Sequence, residues 1–118
     1  MNEFKRHNFK KLKIWQMAME LSKLTLDLTD TFPIYEKYGL KSQMDRCSIS
    51  IPSNIAEGSS RTNKSFSHFL DVSLGSSFEL QTQILLANHR NIYPTNKVKS
   101  SKLKLKNFKE QQWYFKIL

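Results

Sequence analysis

Residues 48–61, Ser-Ile-Ser-Ile-Pro-Ser-Asn-Ile-Ala-Glu-Gly-Ser-Ser-Arg, constrain the fold more than any other stretch. They join two long helix-like patterns and contain Pro52 and Gly58. Ile49, Pro52 and Ala56 recur at helical spacing, so the segment finishes a helix. Pro52 has no N–H and its ring crowds the carbonyl four residues back, which predicts a kink. Gly58 is expected to supply the left-handed residue that closes the helix. Ser59, Ser60 or Thr62 is expected to cap the next helix by accepting from its free N–H groups. A helix that stops and restarts within so few residues points to helices packed on helices.

The rest of the chain agrees. Three glycines and three prolines in 118 residues, with a quarter of the residues charged, favour helices over a turn-rich sheet. One domain with a single core is the natural size. The first helix is expected over 9–31, with Asn8 as a candidate cap. Its apolar residues fall in two stripes: Ile14, Met17, Leu21, Leu24 and Leu28, then Leu12, Trp15, Met19 and Leu26. One stripe is enough for the surface helix of a monomer. The second stripe, with Trp15 as its anchor, is therefore expected to form a subunit interface. Phe32-Pro33 ends this helix.

A second helix is expected over 36–57, burying Leu40, Met44, Cys47, Ile51 and Ile55. A third is expected over 63–91. Gly75 in its middle costs about 1 kcal/mol against alanine, so it is expected to have a packing role. A fourth is expected over 96–116. Leu105, Phe108, Phe115 and Leu118 lie along its apolar face with Leu103 and Tyr114 beside them, and Lys104 intrudes on that face. The fold class is thus all-α, an antiparallel up-and-down four-helix bundle.

Charge is uneven. The chain carries a net +9, and residues 94–118 hold seven lysines against one glutamate. Lys99, Lys102, Lys106, Lys109 and Lys116 gather on one side of the fourth helix with Trp113 among them. Such a face attracts phosphate backbones, and Trp113 is available for base stacking. The competing reading is a solvated lysine face that keeps the protein soluble.

Local signatures of catalysis are missing from the sequence. His7, His68 and His89 are too far apart for a local metal motif, and no second cysteine supports a zinc site. There is no phosphate-binding glycine loop and no nucleophile elbow. Cys47 reads as a small buried residue, and nothing nearby in sequence would activate it. Gln43, Arg46, Asn54, Glu57, Arg61, Glu79 and Gln83 remain. They read as a polar network fixing helix register or the subunit contact, with Arg46 placed to meet Glu79 or Glu57. Paired carboxylates for acid–base work are the less favoured alternative, since no nucleophile, metal or phosphate cradle accompanies them. No apolar run is long enough to span a membrane and the N-terminus does not resemble a signal peptide, so the expected location is the cytoplasm.

Ser50-Ile51-Pro52-Ser53-Asn54-Ile55-Ala56-Glu57-Gly58, followed by Arg61, resembles the signature of the 23S ribosomal RNA intervening-sequence proteins. Residues 9–18, Phe32-Pro33, Glu36, Tyr38-Gly39-Leu40, Gln43, Arg46, Phe66, Phe69-Leu70, Gly75-Ser76, Glu79-Leu80 and Thr82-Gln83 extend the likeness. It covers residues 9–93 and fades after Tyr93. The resemblance implies a four-helix bundle that assembles as a homo-oligomeric ring, usually of five copies. The residues themselves, with no metal motif, nucleophile or phosphate cradle, point to a non-enzymatic protein without cofactor or metal, an enzyme built on Glu57 or Glu79 being the least supported alternative. Family members are encoded within insertions in 23S rRNA genes. Related proteins serve diversity-generating retroelements as basic platforms for reverse transcriptase and nucleic acid. The implied partners are therefore other copies of the chain, RNA or DNA, and a reverse transcriptase or ribosomal component. Phosphate contacts would fall to the five lysines named above, with Arg46, Arg61 and Lys64 in second rank. A scaffold that binds only protein is the alternative.

Overall fold

A computed structural model describes residues 8–117, with side chains described through Gln112. Four helices account for nearly all of it: α1 Lys13–Thr29, α2 Leu40–Ser59, α3 Asn63–His89 and α4 Thr95–Ile117. There is no strand among the described residues. Each helix packs on its neighbours in sequence and α4 closes back on α1, while among the described residues the backbones of the diagonal pairs α1/α3 and α2/α4 stay apart. The bundle is therefore a square with four distinct edges.

Cross-helix hydrogen bonds fix the direction of each pair. Ser22 Oγ reaches the Ser48 carbonyl at 2.7 Å while Thr29, further along α1, reaches back to Asp45. Cys47 Sγ donates to the Ser76 carbonyl at 3.0 Å and Ser73 Oγ to the Ile51 carbonyl at 2.9 Å. Lys109 meets Gln81, and Gln112 donates to the Leu70 carbonyl. In every pair one number rises as the other falls, so consecutive helices run antiparallel.

The core is apolar and continuous. Ile14, Leu21, Met44, Ile51, Ile55, Leu80, Ile84, Leu105 and Phe108 are all fully buried. In α4 the buried side is marked by Ser101, Leu105, Phe108 and Gln112, a run of three- and four-residue steps. Leu103 does not lie beside this face, contrary to the expectation from its apolar type. It is 58 % exposed, and Lys104 is exposed as well. Phe115, Tyr114 and Leu118 lie outside the described side chains.

Several boundaries differ from the periodicity. Residues 9–11 form a 3₁₀ turn, and Leu12 is extended at φ −72° and ψ 124°, so α1 proper starts at Lys13. Asn8 precedes that turn without a side-chain cap. Residues 34–36 form a second 3₁₀ turn ahead of α2. Buried Glu36 there accepts from the Leu40 N–H at 3.1 Å, placing a carboxylate at the positive end of the α2 dipole.

Gly58 does not close α2. It is helical, and no glycine among the described residues has positive φ. A Cβ on Gly58 would sit 2.6 Å from Phe69 Cβ and 2.9 Å from Phe66 Cδ1, so the missing side chain is what lets α3 approach. Thr62 caps α3, accepting from the Ser65 N–H at 3.4 Å. The left-handed closure is found at Asn91, φ 63°, at the end of α3. There the Asn91 N–H bonds the Asn88 carbonyl and the Ile92 N–H bonds the Ala87 carbonyl, the paired bonds of a Schellman motif. A Cβ on Gly75 would have no neighbour within 4 Å among the described residues, so this glycine has no packing role against them.

Candidate nucleic-acid interface

Three edges of the square carry surface features of different chemistry. The α1/α2 edge is apolar. Trp15, Met19, Leu26, Ile49, Pro52 and Ala56 line a groove of about 310 Å³. Trp15 is half-buried, with its ring edge-on to Phe9 at 5.3 Å. Leu12, Met19 and Leu26 are half-buried too, and Leu12 and Trp15 pack against the core.

The α2/α3 edge is polar. Tyr38, Ser42, Gln43, Arg46, Cys47, Ser50 and Glu79 line a pocket of about 490 Å³. The structure brings Gln43, Arg46 and Glu79 to one place, but not through the ion pair expected from sequence. Arg46 donates to the Ser42 hydroxyl at 3.2 Å, and Glu57 pairs along its own helix with Arg61 at 3.0 Å. Asn54 bonds the Ser50 carbonyl of its own helix at 2.7 Å. Gln83 is buried and donates to Glu79 at 3.4 Å, while its Oε1 has no partner among the described residues. Six of these seven residues therefore form local pairs rather than one network, and Gln43 only lines the pocket. Burial, and then the neighbouring Glu79 carboxylate, pushes the Cys47 thiol up to about 12. The thiol stays protonated and donates to the Ser76 carbonyl, the reverse of an activated nucleophile. Among the described residues, no three His, Cys, Asp or Glu side chains cluster to hold a metal.

The α3/α4 edge lies across the square from the apolar one, and it is basic. Gln81 of α3 and Lys102, Leu103, Lys106, Lys109 and Glu110 of α4 line a groove of about 510 Å³. Lys99, Lys102 and Lys106 are exposed and form no ion pair with the described residues. Lys109 differs. Its ammonium hydrogen-bonds Gln81 and lies 4.0 Å from the Phe78 ring centroid. Burial lowers its pKa, because the charged form loses water. Its charge faces the protein more than the solvent. Trp113 and Lys116 lie in the backbone of α4 but outside the described side chains. Sequence reasoning does not single out Gln81, Phe78 or Leu103 for this face. The apolar type of Leu103 points toward the core, and only the true phase of α4 turns it outward.

An all-α bundle of four antiparallel helices with one basic edge and one apolar edge defines a class of small helical proteins. The chain belongs to the 23S rRNA-intervening sequence protein family, whose sequence profile matches residues 10–111. The match runs well past Tyr93, so α4 and its lysines through Lys109 belong to the family region. The family comprises small helical proteins of unknown function and is not a known enzyme family. No curated protein matches the chain. No helix among the described residues is long and apolar enough to cross a membrane.

Proposed function

We propose that this chain is a non-enzymatic, cytoplasmic assembly protein whose copies join through apolar faces and present a basic platform to nucleic acid. The observation that carries this reading is the opposition of two edges. The α1/α2 groove around Trp15, Met19 and Leu26 is apolar, while exposed Lys102 and Lys106 line the α3/α4 groove and exposed Lys99 lies one helical turn before Leu103. Copies that associate by the first edge leave the second facing outward. A ring needs head-to-tail contacts between two different patches. A second patch is the groove of about 440 Å³ lined by Leu40 of α2 and Leu86, His89 and Arg90 at the end of α3. The family resemblance favours five copies, and a reverse transcriptase or ribosomal component as the protein that shares the platform.

The test is RNA and DNA binding across a salt series, with subunit mass read by light scattering. Replacing Lys99, Lys102 and Lys106 together with alanine should lower affinity and flatten the log–log salt slope. The expected loss is about 0.7 per phosphate contact on single strands and about 0.9 on duplex. An unchanged slope would remove the platform. A second reading, a scaffold that binds only protein, is favoured by Ile34, Tyr35 and Tyr38, which are 74–88 % exposed together before α2. A partner retained through nuclease treatment and high salt would select it.

A further inference from the structure

We infer that the α3/α4 groove takes an unpaired nucleotide, so that single-stranded rather than duplex nucleic acid is the substrate of the platform. The inference rests on the nucleic-acid reading above and narrows it. Charge alone does not discriminate between strands, because both present phosphates. Unpaired bases differ from duplex in exposing apolar faces, and the groove holds apolar surface among its cations.

Leu103 is 58 % exposed, with Lys99 and Lys106 as its neighbours four residues before and three after on the helix surface. Phe78 of α3 is 55 % exposed on the same edge, with one side of its ring under the Lys109 ammonium. Gln81 is held by Lys109 through its carbonyl oxygen, which leaves its amide N–H₂ free to donate into the groove. Glu110, also lining the groove, repels phosphate but accepts from the exocyclic amine of a base. The phosphates thus follow Lys99, Lys102 and Lys106, and a base lies over Leu103. A second copy of the chain is a poor occupant, since it carries +9 itself.

The probes are a single strand of about 16 nucleotides, the same length of duplex, and a single strand of abasic residues with equal phosphate charge. The full chain is titrated with each at low salt by fluorescence anisotropy. The single strand should bind about tenfold more tightly than either the duplex or the abasic strand. Leu103→Ser should remove most of that advantage, leave duplex and abasic affinity unchanged, and keep the salt slope. Equal affinity for all three probes, or a silent Leu103→Ser, would overturn the inference while leaving the platform intact. Absence of binding to every probe would remove the platform too. Equal competition by polyglutamate would assign the groove to an acidic protein. A change of subunit mass in Leu103→Ser would assign Leu103 to a self-contact. Either of these last two results also overturns it.

Discussion

Pro52 is tolerated inside α2 because of one serine on another helix. A proline in a helix interior is about 3 kcal/mol worse than alanine, partly because the carbonyl four residues back loses its donor. That carbonyl belongs to Ser48, and Ser22 Oγ of α1 donates to it at 2.7 Å in a fully buried setting. Ser22→Ala should therefore cost about 1–3 kcal/mol, because it strands a buried acceptor. In a Pro52→Ala background the helix N–H returns and the same change should cost about 1 kcal/mol less, as denaturant titrations of the four-member cycle would show. Additive losses would mean that Ser22 does not serve the proline. The two interior glycines make a second comparison at this scale. Gly58→Ala puts a methyl group 2.6 Å from Phe69 Cβ, so overpacking of about 1–3 kcal/mol outweighs the gain in helix propensity. Gly75→Ala meets nothing within 4 Å and should stabilise an isolated chain by about 1 kcal/mol. Thermal melts of the two variants should move in opposite directions. A drop for Gly75→Ala would mean that another copy covers that side of α3.

Between elements, three titrating groups hold their protons more firmly when folded, and the helices they join should loosen together in alkali. Cys47, on α2 against α3, has an ordinary value of 9.0 and is pushed up to about 12 by burial. Burial likewise raises Tyr93, whose hydroxyl bonds Ser101 of α4. Lys41 is raised first by its hydrogen bond to Asp45 and then by that to Asp30. In each case the unfolded chain releases its proton first. Stability is therefore full below the unfolded value and falls as pH rises past it. The melting temperature should begin to fall near pH 9.0, and in Cys47→Ala the onset should move toward the ordinary tyrosine value of 10.0. Melts followed by circular dichroism from about pH 8 to about pH 11 would show both, and an identical onset would separate Cys47 from the effect. These contacts also mark what the sequence discloses. Apolar residues at helical steps, such as Met44, Ile51 and Ile55, are legible because burial selects their type and their period together. Ser73 and Ser101 are buried without that signal, because hydrogen bonds to groups on other segments satisfy them, and Gln112 is buried with its amide N–H₂ bonded to α3 while its Oε1 has no partner among the described residues. Gly58 and Gly75 show the same letter in two roles that only neighbouring helices separate. In α4, lysines and leucines alternate so closely that type alone does not fix the phase, which is why Leu103 and the groove around it are not legible.

For the whole molecule, the question is whether the basic edge works alone or through assembly. Under the proposed reading, single-stranded contacts made by three lysines and one leucine would be weak in one copy. Copies joined in one particle bind a strand at several points, and avidity then exceeds single-site affinity by about 10²–10⁴. Ile49 separates the two cases. It is 47 % exposed in the apolar α1/α2 groove, on the edge opposite the lysines, so a charge there spares the core and the basic face. Ile49→Lys should leave helicity intact and reduce the particle to single chains by light scattering. If electrostatics in one copy were enough, the added cation would strengthen RNA binding. If assembly supplies the avidity, affinity for a long single strand should instead fall about a hundredfold while affinity for a short strand hardly changes. A variant that stays assembled would clear the α1/α2 groove of any interface role. One that dissociates yet binds long RNA more tightly would show that the lysine edge needs no neighbours.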